Sequence, residues 1–194
     1  MEQTQLISNV QRLMNSLRQL PEPVVKPALV VVSGLPGTGK SYLSSRLSER
    51  LPFVVLESDA LRKTLFPSPD YSAVESTRLF QAIHLLIERL LKRGISIILD
   101  AANLSERYRE RLYNIADHLD VKLILVSVEA PPQVVYERLT KPGAESKRSK
   151  SDADWEVYQK MRPTVERISR RHYVVDTSKD ITPVLDKIVR EVRH

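Results

Sequence analysis

Eight consecutive residues, Gly34-Leu35-Pro36-Gly37-Thr38-Gly39-Lys40-Ser41, carry the clearest chemistry in this chain. A glycine, four residues and then Gly-Lys-Ser is the spacing of a loop that wraps phosphate groups. Glycines let the backbone turn so that successive N–H groups point at one anion. A helix starting at the loop's end adds the positive end of its dipole. Lys40 supplies a point charge for the β- and γ-phosphates, and the Ser41 hydroxyl is suited to Mg²⁺. Gly34, Gly37, Thr38, Gly39, Lys40 and Ser41 are therefore the expected nucleotide-binding residues, with ATP and Mg²⁺ as the expected cofactors.

Three further segments could serve the same chemistry. Glu57-Ser58-Asp59-Ala60-Leu61-Arg62-Lys63 follows a short apolar run. In a parallel α/β sheet, ligands bind beyond the carboxyl ends of the strands, so Asp59 and Arg62 are expected to face the crevice of the phosphate loop. A carboxylate there can take the proton of an attacking hydroxyl, and an arginine three residues on can grip an anionic group of the acceptor. The alternative is a helix cap at Ser58 or Asp59 followed by a solvated arginine. Asp100 closes the run Ile95–Leu99 and is placed to support the metal with Ser41, or merely to end a strand. Asn103 reads as a cap for the next helix in preference to a polar contact in the site. Arg138, Lys141, Lys147, Arg148 and Lys150 form a basic stretch that could close over the γ-phosphate, with Arg138 and Arg148 as its candidate arginines, or could be a solvated loop.

These residues need a scaffold, and the hydrophobic pattern describes one. Ala28–Val32 is a continuous apolar run of the buried parallel-strand kind, followed by a helix over about Lys40–Leu51. Phe53–Leu56, Ile95–Leu99, Val121–Val128 and Tyr173–Val175 are the other expected strands. Helices are expected from a Ser72/Glu75 capping box to near Gly94, over Ser105–His118, from Pro132, over Asp154–Ser169 and from Pro183. Strands alternating with helices imply a three-layer α/β fold around a parallel sheet. Ahead of it, Leu6, Val10, Leu13, Leu17 and Leu20 mark an amphipathic helix ended by Pro21, Pro23 and Pro27. That helix is expected to pack on its own domain rather than to dimerise, which leaves the oligomeric state open. The organisation expected is 1–27 as helix and Pro-rich connector, then 28–194 as one domain with a lid at about 138–152.

Composition narrows the partners. The chain has 194 residues, enough for one domain with a substantial core. It has no cysteine, which excludes disulfides and thiolate metal sites. His84, His118, His172 and His194 lack ligand spacing. No apolar run is long enough to span a bilayer and no secretory signal is visible, so a cytoplasmic protein without a membrane partner is expected. A net charge of +6 suits either nucleic acid or phosphorylated small molecules. No basic stripe with interleaved aromatics favours single strands.

Taken together, the phosphate loop, Ser58-Asp59 with Arg62, Asp100-Ala101-Ala102-Asn103-Leu104 and the late segment Ser151-Asp152-Ala153-Asp154-Trp155-Glu156-Val157-Tyr158 resemble the P-loop kinases that are similar to polynucleotide 5′-hydroxyl kinases, zeta toxins and gluconate kinases. The resemblance covers about Leu29 to Val175. It implies a three-layer P-loop kinase fold with a five-stranded parallel sheet, Asp59 as general base, Arg62 as acceptor contact and a lid arginine. Where relatives tend to carry that arginine a few residues after Arg138-Leu139, this chain has Thr140-Lys141-Pro142-Gly143. The activity implied is transfer of the γ-phosphoryl group of ATP to a hydroxyl of a small molecule or a nucleic acid 5′ end. A nucleoside monophosphate kinase and an ATP-binding regulatory module are the rivals. A GTPase would need Asn-Lys-x-Asp, which does not occur.

Overall fold

The computed structural model describes residues 2–17, 19–140 and 155–193. Among the described residues five strands form one sheet, β1 (Ala28–Ser33), β2 (Val54–Glu57), β3 (Ile97–Asp100), β4 (Lys122–Glu129) and β5 (Tyr173–Asp176). All neighbours pair in parallel, in the order β2-β3-β1-β4-β5. The expected five-stranded parallel sheet is what the chain builds.

The unbroken apolar run of β1 has a direct cause. Leu29 and Val31 enter a core cluster on one face of the sheet, while Val30 and Val32 enter a second cluster on the other. A strand covered on both faces has no position for a polar side chain. The first face is covered by α1 (Glu2–Ser16), α3 (Ser58–Leu65), α4 (Ala73–Lys92) and α5 (Glu106–His118). The second is covered by α2 (Lys40–Ser48) and α8 (Thr182–Arg193). α6 (Pro132–Thr140) and α7 (Trp155–Met161) precede and follow residues 141–154.

α1 buries Val10 and Leu13 completely in the first cluster, and Arg12 Nη2 donates to the Thr64 carbonyl at 2.8 Å. It thereby backs α3, the helix that carries Asp59 and Arg62. The helix stops at Ser16, four residues before the last of the periodic leucines, yet Leu17 and Leu20 still pack on the core from the connector.

Other expectations change as well. The helix read over Asp154–Ser169 is α7, ending at Met161 and followed by a 3₁₀ turn over Arg162–Thr164. Pro163 explains the stop, because a proline has no N–H to continue the ladder. Asp154 itself lies outside the described residues. α5 takes Ser105, not Asn103, as its N-terminal flanking residue, so Asn103 is not the cap the spacing suggested. The orphan N–H of Glu106 is met instead by Glu166 Oε2 at 2.6 Å.

Candidate active site at the carboxyl edge of the sheet

β1 and β3 are adjacent and end together, Val32 opposite Asp100. The phosphate loop leaves β1 there, and its geometry explains its glycines. Gly39, the residue before α2, sits at φ 94°, and a Cβ on it would lie 2.9 Å from Thr177 Oγ1. A Cβ at Gly34 would fall 2.5 Å from the Val128 carbonyl oxygen. One position is therefore closed by conformation and by a neighbour, the other by close approach of β4.

Lys40 opens α2, and its Nζ donates to the Leu35 carbonyl across the loop at 3.0 Å. Crowding by protein atoms strips water from the ammonium and lowers its pKa from the ordinary lysine value, while the charges of Asp100 and Asp59 pull the other way. The phosphate-loop lysine and both sequence-selected aspartates thus share one electrostatic site.

Asp100 is 5 % exposed, and burial raises its pKa above the ordinary carboxylate range. Lys40 and a hydrogen bond from Ser41 oppose that rise, and Glu57 and Asp59 add to it. Glu57 stands opposite Asp100 in the β2–β3 register, which accounts for their repulsion. Asp100 Oδ2 is buried without a hydrogen-bond partner. An orphaned carboxylate oxygen beside a serine hydroxyl, in a cluster of like charges, fits a hard divalent cation that keeps most of its own waters. Among the described residues no three His, Cys, Asp or Glu gather as a complete metal cage.

Asp59 lies in the first turn of α3, partly buried, with Glu57 as the flanking residue before the helix. Arg62, one turn on, is a different matter. Sequence reasoning offered it to an anionic acceptor or to solvent, but the side chain is buried and pairs with Glu75 of α4. Its Nη2 donates to Ser76 Oγ at 3.2 Å, and Tyr71 places its ring 4.8 Å from the guanidinium. A buried arginine needs a buried counter-charge, and α4 provides it. The capping box is altered for the same reason. Glu75 N–H donates to Ser72 Oγ at 3.1 Å as expected, but the Ser72 N–H goes to Asp70 Oδ1 at 2.8 Å, and the Glu75 carboxylate takes the Asp70 N–H on Oε2 at 2.8 Å and Arg62 on Oε1.

Arg138, at the end of α6, donates through Nη1 to the Gly37 carbonyl at 3.3 Å and to Thr177 Oγ1 at 2.8 Å. Its Nη2 reaches the Thr177 carbonyl at 3.0 Å. Its contacts brace the phosphate loop against the segment after β5. Lys141, Lys147, Arg148 and Lys150 lie outside the described residues. Thr177 was missed by sequence reasoning. It is 8 % exposed, donates to the Thr38 carbonyl at 2.5 Å and links the phosphate loop to α6 and β5. Its only sequence signal is its position just past the fifth strand. Arg109 was missed as well; a buried arginine on α5 looks in sequence like any surface arginine of an amphipathic helix.

A parallel five-stranded sheet with the phosphate loop on its central strand defines the class: this is a P-loop kinase fold. The family model described as AAA domain matches residues 29–168, and the chain belongs to that family. Solved structures agree. The chain is similar to a gluconokinase from Sinorhizobium meliloti, at 25% identity and a TM-score of 0.58, over 86% of this chain and 89% of that one. It is also similar to the Mycobacterium tuberculosis APS kinase CysC in complex with AMPPNP and APS, at 16% identity and a TM-score of 0.68, over 89% of this chain and 100% of that one. A third similar structure is Chaetomium thermophilum Kti12 in complex with ADP-AlF3, at 19% identity and a TM-score of 0.66, over 84% and 98%. No curated protein matches the sequence. Among the described residues no helix is long and apolar enough to cross a membrane.

Proposed function

We propose that this protein is an ATP- and Mg²⁺-dependent kinase that transfers the γ-phosphoryl group to a hydroxyl. The observation that carries the reading is the convergence of Lys40, Asp100 and Asp59, from three separate segments, at one edge of the sheet. A nucleotide-binding module without chemistry has no use for a carboxylate beside the phosphate loop on the acceptor side. Kinases among the similar structures support the same reading.

In this mechanism, backbone N–H groups of Gly37, Gly39, Lys40 and Ser41 and the Lys40 ammonium hold the phosphates of ATP. Ser41 and Asp100 would hold Mg²⁺, which neutralises charge on the phosphate oxygens. The acceptor hydroxyl lies beside Asp59, which takes its proton as the hydroxyl oxygen bonds to the γ-phosphorus. The bond from the γ-phosphorus to the bridging oxygen breaks, and its electron pair leaves with ADP. Arg62, neutralised by Glu75, positions α3 and with it Asp59. Arg138 holds the phosphate loop in shape, and Arg148 is the remaining candidate for the transferring phosphoryl group. In this organisation 28–194 is the kinase domain, with its lid at about 138–152, and 1–27 braces α3. The pairing of Arg62 disfavours a nucleoside monophosphate acceptor, whose phosphate would need a guanidinium of its own.

The test is transfer of labelled γ-phosphate from ATP to 5′-hydroxyl DNA and RNA, nucleosides, monophosphates, sugars and gluconate, with Asp59→Asn alongside. Transfer to one acceptor that the variant abolishes is the expected result. ATP binding with neither transfer nor hydrolysis would remove the kinase reading in favour of a regulatory module.

A further inference from the structure

Asn103 has no part in the mechanism above, and its surroundings are unusual. β3 lies between β2 and β1, so the chain leaving β3 emerges between the start of α3, with Asp59, and the phosphate loop. The Ala102 carbonyl accepts the Gly34 N–H at 3.2 Å, tying this turn to the phosphate loop. Asn103 follows at φ 46°, a left-handed conformation that asparagine tolerates better than most residues. Its carbonyl accepts from Arg109 Nη1 at 2.5 Å. Arg109 is 1 % exposed, and its Nη2 holds the Glu166 and Arg167 carbonyls at 2.8 and 3.0 Å. The backbone of Asn103 is therefore held from both sides.

Its side chain is not. The residue is 3 % exposed, and neither Oδ1 nor Nδ2 has a hydrogen-bond partner. Leaving a buried polar group unmet is unfavourable, because the hydrogen bonds it made to water are lost and not replaced. The group that answers such an amide is limited by chemistry. An amide offers an acceptor and donors side by side. A metal cation would meet only Oδ1, and a fully ionised phosphate only Nδ2. A group that donates and accepts at once meets both; water or a nucleobase edge does so, and so does the hydroxyl that the phosphoryl acceptor must carry.

We propose that Asn103 is an acceptor contact whose amide holds a neutral hydroxyl of the phosphoryl acceptor, between Asp59 and the phosphate loop. This rests on the kinase reading and adds to it the side chain that receives the hydroxyl every such acceptor carries. The pairing of Arg62 with Glu75 agrees, since that buried guanidinium already has its anion.

Asn103→Gly is the decisive variant. Glycine takes a left-handed φ without strain, so the change removes the amide and leaves the backbone. Asn103→Asp keeps the shape while replacing the donors with charge. The acceptor panel above supplies the probes; kcat, acceptor KM, ATP Kd and Tm are measured for each protein. Asn103→Gly should raise the acceptor KM about 5- to 100-fold, leave the ATP Kd within about twofold and leave Tm unchanged or higher. If the wild type transfers to no panel member, its ATP hydrolysis is the readout, because water then occupies the hydroxyl's place; Asn103→Gly should slow it at unchanged ATP affinity. Unchanged acceptor KM and hydrolysis would overturn the assignment. So would a lower Tm with unchanged kinetics, which marks an amide satisfied internally. Transfer by the wild type with an indifferent Asn103→Gly would sink only this assignment. A wild type that neither transfers nor hydrolyses would remove the kinase reading and this contact with it.

Discussion

On the function proposed above, the phosphate end and the acceptor end of the candidate site are built on different principles. At the phosphate end, one stretch of eight residues supplies the loop, the lysine and the serine, and distant groups such as Thr177 and Arg138 only brace it. At the acceptor end, Asp59, the Arg62–Glu75 pair and Asn103 come from separate segments, and each depends on partners far away in sequence. A phosphate is the same in every nucleotide, so a local backbone motif can recognise it. An acceptor differs from enzyme to enzyme, and side chains set by packing are the parts that can vary without disturbing the loop.

The sharpest way to separate the two ends is a pair of substitutions. Asp59→Asn should cut turnover by roughly 10²–10⁴-fold with ATP affinity nearly intact. Lys40→Ala should lose both, and calorimetric ATP titration beside the transfer assay distinguishes them. An Asp59→Asn protein with weakened ATP binding would break the division into two ends.

Next in size is the buried ion pair. Glu75→Ala leaves Arg62 charged and unmatched in the interior, and should cost about 3–5 kcal/mol in urea unfolding. Removing both charges in Arg62→Leu/Glu75→Leu should restore most of that stability, since the pair itself contributes little net energy. If the single and double variants lost equal stability, the pair would not be the reason α3 and α4 hold together.

His84, on α4, provides a pH-dependent control. Burial, with a smaller contribution from Arg111, lowers its pKa from 6.5 to about 4, and neither ring nitrogen has a hydrogen-bond partner. Between those values the unfolded chain binds the proton that the folded protein refuses. Stability from this group is therefore complete above pH 6.5 and lost as the pH falls towards 4, by about 3 kcal/mol in all. His84→Leu should flatten that part of a stability–pH curve. ATP affinity at neutral pH should not change.

The smallest expected effect is at the brace of the phosphate end. Gly39→Ala forces a side chain into a left-handed position against Thr177 and should cost about 1–3 kcal/mol. Thermal unfolding with and without ATP would show whether the loss falls on folding or on nucleotide binding. A Gly39→Ala protein with wild-type ATP affinity would mean that the loop tolerates reshaping, against the view of a rigid phosphate end.

Much of this molecule is legible in its amino-acid sequence. The alternation of apolar runs and amphipathic stretches implies five parallel strands, because a strand buried on both faces carries no polar positions and a crossover helix carries one apolar face. Gly34–Ser41 is legible for a related reason: a loop that must turn tightly between strand and helix constrains residue type at fixed short spacings. What sequence does not supply is pairing. Glu75 fits a capping box by spacing, and only the approach of α3 to α4 turns its carboxylate towards Arg62. Asn103 looks like a cap, and only Ser105 taking that place, with Arg109 gripping the carbonyl, leaves the amide unpaired. Pro163 is a local signal that outweighs the helical pattern around it. Sequence alone determined the fold class and the phosphate loop, since both follow from the chain's local periodicity and backbone freedom. The tertiary structure decided which charged and polar side chains find partners, because that depends on distances between elements that no local pattern records.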